Sequence, residues 1–351
     1  MIQFILKRLG YGILVMIGVV TVVFTLFNIL PVDPARLTLG QRADVESVEA
    51  INKELGLDKP MPVQFAMYLN DISPIGIHEN SLEAKEKYKY LKLIPFGKDA
   101  LVLKAPYLRR SYQTKAPVSQ VLKDALPETI ILAIASIILA TFIGIILGIV
   151  ASIRQNTWVD NLLMSISQIG ISVPSFLSAI ILGHFFGNLW SEYTGLNATG
   201  SLFETDDFGN KFISIKNLIL PTIALGTRPI GIIFQLTRTS MLEVLNQDYI
   251  RTAKAKGLSF VKVLYKHALR NALNPVITTV SGWFASLLAG AFFIETLFGI
   301  RGLGATAVDS LLKFDFPITM GAVLYTAFIF VIINILVDIL YAVLDPRISV
   351  K

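Results

Sequence analysis

The sequence contains no cysteine, which excludes a disulfide framework and a thiolate-held metal. Histidine is almost as scarce. His78, His184 and His267 are the only three, and they lie too far apart along the alternating topology described below to converge on one metal. No G-x-S-x-G or H-E-x-x-H motif occurs, and no G-x-x-x-x-G-K-[ST] phosphate loop. Such a chain does not hydrolyse ATP by itself, an intramembrane enzyme is disfavoured, and no cofactor is expected. Charge is scarce too: 16% of residues are charged, against about 25% in soluble domains.

What replaces charge is apolar sequence. Of 351 residues 54% are hydrophobic, and mean hydropathy is +0.63, the composition of an integral membrane protein. Apolar runs near the roughly 20 residues that cross a bilayer fall at Leu9–Leu30, Thr129–Ile153, Leu162–Trp190, Leu218–Leu236, Pro275–Leu297 and Ile318–Leu344. The fourth is interrupted by Pro221, Arg228 and Pro229. The first follows Lys7 and Arg8 and is too long for a signal-peptide core, so it is expected to remain as a span. Six spans place both termini on one side.

Lys and Arg in the short loops orient the bundle. With the N-terminus inside, twelve fall in inner segments: Lys7, Arg8, Arg154, seven from Arg238 to Arg270, Arg347 and Lys351. Only Lys211, Lys216, Arg301 and Lys313 occupy the short outer loops. Both termini are therefore expected in the cytoplasm, with Pro31 to Glu128 outside. In that segment Val45, Val48, Ile51 and Leu55 share one helical face, with Gly56 as C-cap. Glu83–Lys92 reads as a solvated helix or loop, and Ser111–Glu128 as an interfacial helix leading into the second span. A net charge of +6 would suggest nucleic acid in a soluble protein. Here it reflects loops beside anionic lipid, and no nucleic-acid partner is expected.

Residues 240–275, SMLEVLNQDYIRTAKAKGLSFVKVLYKHALRNALNP, form a polar interruption between two spans. Arg251, Lys254, Lys256, Lys262, Lys266 and Arg270 follow one another with no acidic residue between them. The pattern predicts two short helices around one break. The first is N-capped by Asp248 and ends at Gly257, which accepts a left-handed backbone. The second is capped by Ser259, and Pro275 opens the next apolar run. A basic loop beside a membrane is also a topology signal and a lipid binder. That reading leaves the small residues Ala253 and Ala255 unexplained, since they would let a partner approach closely.

RTAKAKGLSFVKVLYKHALRNALNP resembles the cytoplasmic coupling loop, or EAA loop, of ATP-binding-cassette (ABC) importer permeases of the oligopeptide/dipeptide/nickel class. Ala253, Gly257 and Leu269 match the generic loop. Arg251 stands for its Glu, Thr252 for its first Ala, His267 for its Ile and Arg270 for its Pro. LPVDPARLTLGQRADVESVEAINKELGLDKPMPVQF, IETLFGIRGLG and LYAVLDPRISV resemble other parts of the same permeases. The likeness covers nearly the whole chain and is weakest between Ser73 and Pro106.

The resemblance implies an all-α membrane protein of the type I ABC importer permease fold, with six transmembrane helices. Residues 1–110 would hold the first helix and an extracytoplasmic segment, and residues 111–351 the permease core. It implies a multi-pass subunit of the bacterial inner membrane working by alternating access. The partners would be ABC ATPase subunits, a second and non-identical permease subunit, and an extracytoplasmic substrate-binding protein delivering peptides, nickel or opines. The ATPase-coupling residues would be Asp248, Arg251, Thr252, Ala253, Ala255, Lys256, Gly257, Leu269 and Arg270. The rival class is a secondary carrier or channel, but acidic groups at mid-membrane are scarce. Arg228, in the fourth run, is a candidate for the pathway or gate, as is Glu295, at the outer end of the fifth. Asp338 lies near the inner end of the sixth. His184 reads as a helix-packing hydrogen bonder, and the G-x-x-x-G of Gly144 and Gly148 as a contact between protomers.

Overall fold

The computed structural model describes residues 2–29, 58–206 and 208–344. The helix expected over Val45–Leu55, its cap Gly56, and the terminal Asp345 and Arg347 lie outside the described residues. Helix α1 spans Ile2–Ile29 and α2 Met61–Ile72. Then come β1 (Ile75–Glu79), α3 (Leu82–Tyr88), β2 (Leu91–Phe96) and β3 (Asp99–Leu103). Helix α4 is Val118–Ile153 and α5 Trp158–Ser172. Helix α6, Ser175–Leu182, continues as a wide π-turn over Gly183–Leu189. After α7 (Ser191–Thr194) and the short strands β4 (Phe203–Thr205) and β5 (Lys211–Ile213) comes α8, Ile215–Leu245. Helix α9 is Asp248–Ala255; α10, Phe260–Lys262, widens over Val263–Leu269 and runs into α11, Arg270–Gly290. The described chain ends with α12 (Phe292–Phe298), α13 (Leu303–Leu312) and α14 (Phe316–Leu344).

Four stretches are long and apolar enough to cross a membrane: Leu6–Phe27, Val118–Ile153, Ile215–Leu245 and Phe316–Ile339. Two bent pairs raise the number to six if each is one span, and their bends are 104° after Ser172 and 58° after Leu288. The third run is therefore not the single rod that its apolar length suggests. Pro174 disfavours a helical conformation in Val173, which is extended at φ −76°, ψ 125°. Helix α4 has 36 residues, about 54 Å at 1.5 Å per residue, well beyond the roughly 30 Å hydrocarbon layer. From Val118 onward it absorbs the interfacial helix expected over Ser111–Glu128, whereas Ser111–Pro117 forms a turn and not a helix.

The chain divides into two compact units. The first comprises residues 1–9, 126–305 and 329–351. At its centre is α8, with Leu220, Ala224, Leu225 and Ile233 buried against Leu132, Ala133, Ile137 and Ala140 of α4 and Leu287 and Leu288 of α11. Close approach depends on glycine. A Cβ on Gly144 would lie 2.8 Å from Ile233 Cγ2, and one on Gly148 would lie 2.6 Å from Thr237 Cβ. The G-x-x-x-G expected between protomers thus packs α4 onto α8 of the same chain. Pro221 and Pro229 sit inside α8 without ending it, since tight packing on both sides holds the helix.

The second unit, residues 10–125 and 306–328, corrects the all-α expectation. Strands β1, β3 and β2 form an antiparallel sheet in that order, so the segment Ser73–Pro106 is a folded module. Ser81 Oγ accepts from Ala84 N and caps α3 in the stretch read as helix or loop. Asp71 collects the polar groups nearby, accepting from Tyr88 Oη at 3.1 Å and Arg109 Nε at 3.3 Å. His78 stacks on Tyr88 at 3.9 Å, and burial, reinforced by Lys104, holds its pKa below the usual histidine value. Val20, Phe24, Tyr68 and Leu324 form the apolar core of this unit.

Candidate functional site

The basic loop between α8 and α11 is built from helix α9 and the turn after it. Gln247, extended at φ −74°, ψ 150°, occupies the N-cap position, so Asp248 is the first helical residue and not the cap. Its carboxylate still complements the positive helix N-terminus and lies 3.4 Å from Arg251 Nη1. The C-terminus closes as a Schellman motif: Gly257 N donates to Lys254 O at 3.0 Å and Leu258 N to Ala253 O at 3.4 Å. Gly257 has φ +76°, the left-handed conformation expected of it. Ser259 holds the next N-cap position without a side-chain cap bond. The helix from Phe260 then runs through the π-turn into α11, so Pro275 is an interior residue and not a boundary.

Packing divides the loop into two faces. Ile250 and Ala253 turn inward onto Met241, Val263, Leu264, Ala268 and Ala272, and Leu258 and Leu269 pack against the same cluster. Ala253 is 7% exposed, so it serves this internal seat and not the outer surface to which the sequence assigned it. Asp248, Arg251, Thr252, Lys254, Ala255 and Lys256 are exposed together, and Arg270 is exposed further along. The result is a basic ridge on a rigid seat, with Ala255 as its small residue.

Arg228 and Glu295 differ sharply. Arg228 is exposed, with its guanidinium carbon 5.9 Å from the centre of the Trp283 ring, within cation–π reach. Glu295 is fully buried. Its carboxylate accepts from Thr129 Oγ1 at 2.7 Å, Gly304 N at 2.8 Å and Ala305 N at 3.0 Å. Thr129 Oγ1 in turn accepts from Leu303 N at 2.8 Å, and Glu128 Oε2 from Arg301 N at 2.8 Å. These groups satisfy the orphan amides at the start of α13. A Cβ on Gly302 would lie 2.3 Å from Glu295 Cδ, so glycine there admits the carboxylate.

Sequence reasoning did not single out Glu128, Thr129 or Asp160. Asp160 is 1% exposed and accepts from Arg238 Nε at 2.6 Å and Nη2 at 2.7 Å. Arg238, counted from sequence as a loop charge, is thus half of a partly buried pair. A carboxylate next to an apolar run was the available signal, but its partner lies 78 residues away. Asp338, also near a span end, pairs with Arg8 at 3.0 Å. His184 is exposed and lies edge-on to Phe185.

The described residues thus combine membrane-length helices with an exposed basic ridge on α9. Residues 140–350 match the family of binding-protein-dependent transport system inner membrane components, and residues 1–133 match the N-terminal region of such membrane components. The dipeptide transport system permease protein DppB of Alkalihalophilus pseudofirmus is 36% identical, over 99% of this chain and 100% of that protein. DppB of Escherichia coli is 32% identical over the full length of both. Among solved structures, the inward-facing MetNI methionine ABC transporter covers 65% of this chain and 97% of its own, at 14% identity and a TM-score of 0.47. On the sequence matches, the chain belongs to the binding-protein-dependent inner membrane components, as an ABC permease of the peptide class. It is a transport subunit and not an enzyme.

Proposed function

We propose that the chain is one of two permease subunits of an ATP-driven importer that moves peptides inward by alternating access. The observation that carries this is the α9 ridge, exposed outward and seated inward on the ends of α8 and α11. In this reading the ridge fits a cleft on an ATPase subunit, and closure of two ATPases rocks the spans from inward- to outward-facing. A non-identical second permease completes the pathway, and an extracytoplasmic binding protein delivers the substrate. Peptide is the substrate class favoured by the relatives' names. The test is Ala255→Glu, which adds bulk and charge to the ridge without touching its seat. The variant should reach the membrane in normal amount but lose the co-purifying ATPase and uptake of a labelled dipeptide. Normal retention and uptake would overturn the docking assignment.

Each bent pair counts here as one span, giving six helices with both termini in the cytoplasm. The Arg8–Asp338 pair supports this, since it joins the start of α1 to the end of α14. A reporter active only outside the cytoplasm should work when fused near Glu83 and fail after Lys262; the reverse pattern would invert the topology. Arg228 lines the pathway, offering a cation beside an aromatic face. Its charge costs about 2.5 kcal/mol or more at a helix centre, so Arg228→Leu should assemble fully yet take up less dipeptide. Unchanged uptake would leave the residue without that role. Glu295 acts at the outer gate as a latch on the Gly302–Gly304 turn.

A further inference from the structure

The Asp160–Arg238 pair, its carboxylate buried and its guanidinium half-buried, lies one turn from the docking seat, and the reading above does not use it. Residues 237–241 of α8 bring three neighbours together. Thr237, fully buried, packs where Gly148 of α4 has no side chain. Met241, also fully buried, belongs to the cluster holding Ile250 and Ala253 of the docking helix. Between them Arg238 reaches α5 and grips Asp160 with two parallel hydrogen bonds, while Asn156 N donates to the same carboxylate at 2.9 Å. Helix α5 carries no residue of the docking cluster, and its far end is the 104° bend into α6.

The two kinds of contact transmit force differently. An apolar seat resists compression, but it slides, and it offers little against being pulled apart. A two-pronged guanidinium–carboxylate pair fixes distance and orientation together, and holds registry between the two helices that carry it. We propose that Asp160 and Arg238 are positioning residues that tie α5 to α8, so that a displacement of the docking helix is passed to α5 and its bend. The pair stays closed throughout the transport cycle. This rests on the docking reading above, because it takes the ATPase as the source of the displacement.

The absence of cysteine from the chain allows a direct test in the assembled transporter. Ile169, on α5 and directed away from the chain's own packing, is replaced by Cys carrying a nitroxide spin label, and the label's mobility is measured with and without ATP plus vanadate. ATP should change that mobility in the otherwise native chain. Arg238→Lys keeps the charge but loses the fork, and Asp160→Glu shifts the carboxylate by one methylene. Both should retain the ATPase subunits and ATP hydrolysis while the ATP-dependent change at position 169 is lost. A second arm, without Cys at 169, places Cys at both 160 and 238 and joins them with a short bis-methanethiosulfonate. The link should restore the ATP-driven dipeptide uptake lost in the unlinked double variant. No ATP response at position 169 in the native background, a native response in Arg238→Lys and Asp160→Glu, or no restoration on linking each overturns the proposal. Failure of the native chain to retain any ATPase subunit would instead strike the docking reading itself.

Discussion

Ala253→Glu should empty the membrane of intact protein, whereas the same change two residues later, at Ala255, should leave abundance normal. Ala253 lies against Met241, Ile250 and Leu264 in an apolar cluster, and no cation faces it from within that cluster. An unpaired carboxylate there either ionises at a cost of several kcal/mol or takes up a proton and remains a buried polar group without a partner. Glutamate is also larger than the space alanine fills, and overpacking adds about 1–3 kcal/mol. Against a total stability of about 5–15 kcal/mol, that sum displaces α9 from its seat. Membrane-fraction immunoblots and the melting temperature of the purified complex provide the measurement. Equal abundance and equal melting of the two variants would mean that α9 is not seated as described.

Removing the Glu295 carboxylate has the other large effect. In Glu295→Ala the amides of Gly304 and Ala305 and the hydroxyl of Thr129 lose their shared acceptor. Each buried group left unsatisfied costs about 1–3 kcal/mol, and the vacated volume adds to the loss. The start of α13 should therefore detach from α12. Glu295→Gln preserves most of the arrangement, because its amide oxygen can face the two backbone donors while its NH2 turns to Thr129. Gly302→Ala should fail like Glu295→Ala from the opposite side, since its Cβ would fall inside contact distance of the carboxylate. The expected order of melting temperature and dipeptide uptake is native, then Gln, with Ala at 295 and Ala at 302 well below. A Glu295→Ala protein as stable as the native one would remove the latch.

The turn after α9 was legible in the sequence because its cause is local. Gly257 follows a short helical pattern, and only a residue tolerant of positive φ closes a Schellman motif there without strain. The break in the third apolar run was just as local, since Pro174 stands in its middle, but reading the run by length alone passed over it. Ala253 was misassigned for a different reason. Small residues permit close approach from either side of a helix, and the sequence does not say which side the rest of the chain occupies. The strands between Ile75 and Leu103 escaped notice because their alternation is interrupted by charged residues and a bulge near Lys92. Their pairing is antiparallel, and β1 meets its partner β3 only across the intervening α3 and β2.

By itself the sequence determined membrane residence, the apolar spans, and a basic loop with a glycine-ended helix. These follow from composition and from residues within a few positions of each other, where local backbone preference and the water-to-lipid transfer of apolar side chains decide. Only the tertiary structure decided that Glu295 is sealed on Thr129, that Arg238 belongs to Asp160, and that Gly144 and Gly148 serve the chain's own packing. Those pairings join residues 78 to 166 positions apart in the two polar cases. A charge or a glycine states only what it needs, a partner or a close approach. Which group supplies it is fixed when the helices pack.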